Sequence, residues 1–134
     1  ATLACASRGR AYAGNFANPQ RWSELVTTIN DVTDETFSSE VLDAPGVVLV
    51  DFWAPWCRPC TQVEPVLNEL AAELEGRVRV VKVNTDDNPL ITQRFGITSV
   101  PTLMIVAGGE VVSQLIGARP KAAIREAVTS HVAA

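Results

Sequence analysis

The sequence predicts an α/β domain in which a mixed β-sheet is covered by helices on both faces. The prediction depends on a short, β-branched apolar run at residues 47–53, on strand and helix patterns that alternate around it, and on a hairpin signal at 107–109. A strand, a helix and a strand in succession imply a parallel pair with a right-handed crossover, and the hairpin adds an antiparallel edge. The predicted order of elements is therefore β, α, β, α, β, α, β, β, α.

Turn residues and apolar runs define the first half of the domain. A helix is predicted from Thr33 to Leu42, because acidic residues in its first turn interact favourably with the helix dipole. The run 47–53 is almost continuously apolar, which suits a central strand buried on both faces. The next helix is predicted over 57–75, where Gly76 can supply a left-handed cap.

The second half continues the alternation. Residues 77–83 alternate charged and apolar side chains and predict a strand. Asn88–Pro89 begins a short helix, and the two strands of the hairpin are predicted over Thr102–Val106 and Glu110–Ile116. Pro120 begins the last helix, since proline suits a first helical turn. Helices between the strands then cover both faces of the sheet.

Composition separates the chain into an extension and one domain. Residues 1–28 carry no acid before Glu24 and are rich in Ala, Gly and Asn, so they are predicted to be a flexible or loosely docked extension of a domain spanning 29–134. The end of the extension, near Ile29, could be a short helix or already the first strand. The net charge of −4 argues against a nucleic-acid partner. No apolar stretch approaches the roughly 18 residues needed to cross a bilayer.

Cys57 and Cys60 form a C-x-x-C pair where the central strand gives way to a helix. Residues three apart in a first turn share a face, so the two sulfurs come within disulfide reach. Cys57 is expected to be the attacking sulfur, because the helix N-terminus stabilises a thiolate, and Cys60 is expected to be more buried. Zinc would need further ligands, for which the sequence offers Cys5 and His131 at opposite ends of the chain. Redox chemistry is therefore favoured, and no metal is expected.

Asp51 interrupts the apolar central strand, where an unpaired carboxylate is costly. Strand parity places Lys82 on the apolar face of the next strand, and Asp51 is the obvious partner for its charge. Two interpretations stay open, and both can hold. One is a structural ion pair; the other is a desolvated Asp51 with a raised pKa that accepts the proton of Cys60.

The segment Val50 to Cys60 resembles the active-site segment of the thioredoxin family. The resemblance covers about residues 29 to 134, and further family-like segments follow in order: Pro65, Lys82–Val83–Asn84, Phe95–Gly96–Ile97, Val100–Pro101–Thr102, Gly108–Gly109 and Gly117–Ala118. It implies a thioredoxin fold, within the predicted α/β class, and general protein-disulfide reductase activity.

The resemblance also implies roles for individual residues. Cys57 would be the nucleophile, Cys60 the resolving thiol, and Asp51 with Lys82 the buried pair that handles protons. Pro101 would follow a cis peptide bond that turns the backbone of the preceding residue toward the sulfurs. The substrate-binding surface around Cys57 would consist of Trp56, Val100, Pro101, Gly117 and Ala118.

Two residues depart from the family pattern. Arg58 stands where Gly is usual, and its guanidinium should favour the ionised, reduced form of Cys57 and make the couple more oxidising; a solvated arginine without effect is the alternative. Its neighbour Pro59 lies near the helix start, where its ring fixes its own backbone angle φ. Arg58 and Pro59 are together predicted to tune the redox potential. Glu64 stands where a small apolar residue is common, and the sequence gives no account of it.

The family further implies partners and a location. No bound cofactor is expected, and a thioredoxin reductase using NADPH would regenerate the dithiol. The partners would be disulfide-containing client proteins and this reductase, with no nucleic acid and no membrane. The protein is expected to be a cytoplasmic monomer, or organellar or exported if residues 1–28 derive from a targeting segment. Two other functions remain open: a more oxidising disulfide oxidase or isomerase, and a thioredoxin-fold binding subunit.

Overall fold

The computed structural model of the protein describes residues 29–132, which form a five-stranded mixed sheet. The strands are β1 (Asn30–Asp31), β2 (Val47–Trp53), β3 (Val78–Asn84), β4 (Thr102–Ala107) and β5 (Glu110–Ile116). Their order across the sheet is β1-β3-β2-β4-β5. Both β1 and β2 run parallel to β3, whereas β4 is antiparallel to β2 and β5. The predicted parallel centre with an antiparallel hairpin edge is confirmed.

The helices follow the predicted order. They are a single π-helical turn (Ser38–Leu42), α1 (Arg58–Glu73), α2 (Pro89–Arg94) and α3 (Lys121–Thr129). Helix α1 continues through the proline inside it and ends two residues earlier than predicted. None of the helices in the described region is long and apolar enough to span a membrane. The predicted extension, residues 1–28, lies outside the residues that the structure describes.

The first predicted helix is shorter than expected. Residues 34–36 form a turn, and the Thr33 N–H donates to the Thr36 hydroxyl oxygen at 2.9 Å. Threonine hydroxyls that bind nearby backbone groups compete with helix formation. Asp34, which was assigned to the dipole of its own helix, instead accepts a 2.9 Å hydrogen bond from the Ile91 N–H in α2. The prediction of a helix from Thr33 to Leu42 was therefore wrong over its first half.

The core lies on both faces of the sheet, because the side chains of each strand alternate between them. On one face, β2, β3 and β4 pack against α1 and α3 through a cluster that includes Leu49, Val80, Leu103, Leu67, Leu70 and Ile124. On the other face, they pack against the π-helical turn and α2 through a cluster that includes Val50, Phe52, Val81, Met104, Phe37 and Ile91. The first six residues of β2 are buried, so β2 is the central strand that the sequence predicted.

The strand register brings several chain segments to one edge of the sheet. Thr102, at the start of β4, is opposite Phe52 of β2 and Ile116 of β5. Trp53, at the end of β2, is opposite Asn84 at the end of β3. The segments that follow β2, β3 and β5 and the segment that precedes β4 therefore meet at this edge.

Candidate active site

Cys57 and Cys60 form a disulfide at this edge, where β2 leads into α1. Their Cα atoms are 5.3 Å apart, within the usual range for a disulfide. Cys57 is the N-cap of α1, with an extended backbone, and its Sγ accepts a hydrogen bond from the Cys60 N–H at 3.2 Å. Pro59 lies in the first turn, where its missing N–H has no helical partner to lose. The predicted placement of both sulfurs at a helix start is confirmed.

The two cysteines have the same low exposure. Each residue is 5% exposed, so the prediction that Cys60 is more buried than Cys57 was wrong. As the N-cap, Cys57 folds back over the helix start and packs with Ala54, and Trp53 and Val100 contact the same cluster. The cover over Cys57 therefore comes from the preceding strand end and from distant Val100, which helix position alone does not reveal.

The Val100–Pro101 peptide bond is cis, as the resemblance implied. Val100 packs against the cysteine cluster, and Pro101 is buried. The Pro101 carbonyl accepts a 2.8 Å hydrogen bond from the Gly117 N–H, which joins the segment after β5 to the segment before β4. Ala118 follows and is exposed. The structure thus brings Val100, Pro101 and Gly117 together beside the disulfide.

Trp56 is the most exposed large apolar side chain of the described residues, at 71%. Its ring is nevertheless held, because its Nε1–H donates to Asp86 Oδ2 at 3.1 Å. The Asp86 N–H in turn donates to Asn84 Oδ1 at 3.0 Å. Asp86 was not predicted as a site residue, although its position directly after a strand parallel to β2 places it at the same edge of the sheet.

Asp51 lies on β2 beneath this edge and is 5% exposed. Its Oδ1 atom has no hydrogen-bond partner among residues 29–132. Burial raises the pKa of Asp51 from its ordinary 3.8 to about 7; the positive charge of Lys82 opposes this rise and the negative charge of Glu64 adds to it. The direction of this change is the one that the sequence predicts for a desolvated Asp51.

Lys82 is opposite Asp51 in the β2–β3 register, but its ion pair is formed elsewhere. Lys82 Nζ lies 3.5 Å from Glu64 Oε2 on α1 and 5.4 Å from the centre of the Trp53 ring. The predicted Asp51–Lys82 ion pair was therefore wrong, and the two do not form a buried pair. The flexible lysine extends to a carboxylate that remains in contact with water, which avoids the desolvation cost of pairing at buried Asp51.

These groups line one small pocket of about 60 Å³, whose lining includes Asp51, Ala54, Cys57, Cys60, Glu64 and Lys82. Nowhere in residues 29–132 do three or more His, Cys, Asp or Glu side chains form a metal-binding group. A disulfide at a helix N-terminus, sharing a pocket with a buried carboxyl that titrates near neutrality, can open to a dithiol and exchange with another disulfide. The fold and the site thus define a dithiol–disulfide oxidoreductase.

Known proteins identify the family. The sequence pattern of the Thioredoxin family matches residues 28–130. Thioredoxin 1 of Nostoc sp. is 52% identical over 101 residues, which are 75% of this chain and 94% of that protein. The thioredoxin of Pyropia yezoensis is 49% identical over 105 residues, 78% of this chain and 98% of that protein. Thioredoxin from Haemophilus influenzae is 43% identical over 101 residues, 75% of this chain and 94% of that protein. The chain belongs to the thioredoxin family.

Membership of the family and the C-x-x-C disulfide together establish the activity. The protein is a protein-disulfide reductase that works by dithiol–disulfide exchange. Thioredoxins in general act on disulfide-containing client proteins, are reduced by a thioredoxin reductase and need no bound cofactor.

Proposed function

We propose that Cys57 is the nucleophile of disulfide reduction, that Cys60 is the resolving thiol, and that Asp51 accepts the proton of Cys60. The observation that carries the assignment is the helix cap: the Cys60 N–H points at Cys57 Sγ. After reduction, this N–H and the positive end of the α1 dipole stabilise negative charge on the Cys57 sulfur. Cys60 stands one turn further along the helix and remains the protonated partner.

In the first half-reaction, the Cys57 thiolate attacks one sulfur of a client disulfide. A mixed disulfide forms, and the other client sulfur leaves as a thiolate that takes a proton from solvent. Arg58 is exposed beside Cys57 and favours the thiolate that begins this step. Pro59 fixes the backbone between the two cysteines.

In the second half-reaction, the Asp51 carboxylate takes the proton from the Cys60 thiol. The Cys60 thiolate attacks Cys57 Sγ, the Cys57–Cys60 disulfide forms, and the second client sulfur leaves as a thiolate and is protonated in turn. Two observations support Asp51 in this role. It lines the same pocket as Cys60, and a pKa of about 7 suits an acid that must both take and release a proton near neutral pH.

Client proteins would bind over the exposed edge around the disulfide. We assign this client-binding surface to Trp56, Val100, Pro101, Gly117 and Ala118. Trp56 offers an exposed ring that Asp86 holds in place, and the Gly117–Pro101 hydrogen bond keeps the other segments beside the cysteines. In the same proposal the protein acts as a cytoplasmic monomer and transfers electrons from NADPH by way of a thioredoxin reductase.

Single cysteine variants test the assignment in an insulin-reduction assay coupled to NADPH and a thioredoxin reductase. Cys57→Ser should reduce turnover to the uncatalysed background, since it lacks the attacking sulfur. Cys60→Ser should also lose turnover but should accumulate a covalent adduct with the client, because nothing resolves the mixed disulfide. Mass spectrometry under non-reducing conditions would detect this adduct.

Two controls make the result specific. Adding a small dithiol should release the adduct, and Cys5→Ser in the Cys60→Ser background should leave its yield unchanged. An adduct formed by Cys57→Ser instead of Cys60→Ser would reverse the assigned roles.

A further inference from the structure

Glu64 is the charged residue of the pocket that disulfide exchange does not explain. It lies on α1, four residues after Cys60, so it shares a helix face with the resolving thiol. It lines the same pocket as Asp51, Cys60 and Lys82. Its carboxylate forms the ion pair with Lys82, at 3.5 Å, and its side chain is 52% exposed.

Three carboxylates lie around Lys82. Asp51 on β2 and the exposed Asp31 on β1 are its register partners on the two neighbouring strands. Glu64 reaches it from the helix that covers the same face of the sheet as Asp51. The lysine is paired with Glu64 at the more exposed side of the pocket, and Asp51 Oδ1 is left without a hydrogen bond among the described residues. The Lys82 side chain is 25% exposed, and its ammonium lies beside a glutamate side chain that is 52% exposed.

We propose that Glu64 is a positioning residue, which holds Lys82 at the mouth of the pocket and thereby keeps Asp51 without a direct counter-ion. This inference rests on the proposed role of Asp51 as the proton acceptor and adds Glu64 as the residue that keeps Asp51 suited to that role. With Lys82 held away, the buried Asp51 carboxylate keeps most of its desolvation cost, and the Glu64 charge adds repulsion. Asp51 then titrates close to neutral pH, where it can exchange protons with Cys60.

Few titratable or charged groups face Asp51 from the elements packed against it. Lys82 comes from β3, Cys60 and Glu64 come from α1, and Cys57 is the N-cap of that helix. The β4 residue opposite Asp51 is Leu103. The cysteines carry no charge while they are joined in a disulfide. In the oxidised protein, the charges acting on Asp51 from these elements are therefore those of Lys82 and Glu64.

The test is a carbon-13 NMR titration of the Asp51 carboxyl in the oxidised full chain. Glu64→Gln keeps the size of the side chain and removes its charge, so Lys82 is released toward Asp51 and the pKa of Asp51 should fall. The matched control is Glu69→Gln on the same helix, an exposed glutamate that pairs with Lys121 at 3.0 Å and lies outside the pocket. It should leave the Asp51 titration unchanged.

A double-mutant cycle distinguishes two ways in which Glu64 could raise the pKa of Asp51: by holding Lys82 away from it, or by direct charge repulsion. Lys82→Met removes the charge and keeps an unbranched apolar chain, and in that background Glu64→Gln should move the Asp51 titration clearly less than in the parent. An equal change with and without Lys82 would overturn the proposal, because Glu64 would then act by direct repulsion alone. If Glu64→Gln leaves the Asp51 titration unchanged in the protein that retains Lys82, the proposal is overturned as well.

The rate of the resolving step gives a second measurement, which distinguishes this inference from the proposed function. In Glu64→Gln, release of client from a preformed mixed disulfide should slow about threefold near pH 8, and the acidic limb of its pH profile should move to lower pH, since Asp51 becomes a weaker base that ionises earlier. If the Asp51 titration moves and this profile does not, the base role of Asp51 fails. If the titration itself stays in place, the Glu64 inference fails and the base role stands on its own evidence.

Discussion

The chemistry of single residues in this protein depends on where the backbone puts them. Cys57 combines the roles of helix cap and redox group, so the hydrogen bond that begins α1 also favours its thiolate. Asp51 is an ordinary carboxyl whose pKa reaches about 7 because it is buried. Trp56 is highly exposed and still oriented, because Asp86 binds its indole N–H.

Arg58 is the residue at which this chain should differ in redox poise from a thioredoxin with glycine there. A positive charge next to Cys57 stabilises the thiolate and hence the reduced form. Arg58→Gln and Arg58→Gly are therefore expected to lower the reduction potential by on the order of 10–20 mV, as suits an exposed charge. Equilibration with a glutathione redox buffer of known potential measures this difference.

The comparison needs two controls. Arg77→Gln removes an exposed arginine from the turn before β3, at the end of that strand away from the disulfide, and should leave the potential unchanged. Arg58→Gln separates charge from the extra backbone freedom of glycine at the helix start. Equal potentials in the parent and both Arg58 variants would show that this guanidinium does not tune the couple.

At the scale of elements, the ends of helices and strands are set by partners elsewhere in the chain. Asp34 accepts hydrogen bonds from the N–H groups of Leu90 and Ile91 and so caps α2 from a distant turn. The Asp34 N–H donates to Asn88 Oδ1, which makes the contact reciprocal. The β4–β5 hairpin lies close to the end of the π-helical turn, where Leu42 approaches Gly109.

The two glycines of the hairpin turn should differ in their tolerance of alanine. Gly108 and Gly109 both have positive φ, of 59° and 85°, so each Cβ costs about 1 kcal/mol of backbone strain. A Cβ on Gly108 meets no atom within 4 Å, whereas one on Gly109 would lie 2.8 Å from the Leu42 carbonyl oxygen. Gly109→Ala should therefore be the less stable variant by about a further 1–3 kcal/mol.

Urea unfolding of the two oxidised variants beside the parent measures this difference, and Gly108→Ala is the matched control. Equal destabilisation would mean that the hairpin can move away from the π-helical turn at little cost.

For the whole molecule, the buried site lowers the stability of the fold. The central strand β2 holds Asp51 between two layers of apolar side chains, where its charged form loses hydration. Lys82 is paired with Glu64, so its charge does not directly offset the hydration that the Asp51 carboxylate loses. The fold therefore carries an unfavourable electrostatic contribution that a purely structural strand would not have, and this contribution depends on pH.

The sign of this dependence follows from the raised pKa of Asp51. Below about pH 4 the carboxyl is protonated in both the folded and the unfolded chain and contributes no difference. Between about pH 4 and 7 the unfolded chain ionises first, so the free energy of unfolding falls as pH rises. Above pH 7 the penalty is constant, at about 4 kcal/mol for a pKa raised from 3.8 to about 7.

Asp51→Asn should remove this penalty, because the amide is neutral at every pH. The variant should be more stable than the parent by up to about 4 kcal/mol near pH 8 and by little near pH 4. Urea unfolding of both oxidised proteins across this range measures the difference. Asp43→Asn, at an exposed aspartate, is the control and should stay within about 0.5 kcal/mol of the parent throughout. If the difference in the free energy of unfolding between Asp51→Asn and the parent did not change with pH, the raised pKa of Asp51 would not be coupled to stability.

Much of the fold and the cysteine site was predictable from sequence because it is encoded locally. The apolar run of β2, the alternation of β3 and the hairpin glycines each specify an element through the side chains of that element. The C-x-x-C spacing at a strand-to-helix junction placed the sulfurs on one helical turn. Asp51 was recognisable because a carboxyl within an apolar strand conflicts with its surroundings.

The tertiary structure decided the features in which two distant segments compete or combine. Thr33 to Thr36 form a turn rather than a helix because their hydroxyls bind the backbone and Asp34 caps α2. Lys82 pairs with Glu64 instead of Asp51 because a long side chain selects the partner that can stay hydrated. Such choices depend on distances between elements that sequence spacing does not contain, whereas the order of elements and the pair of sulfurs follow from the sequence by itself.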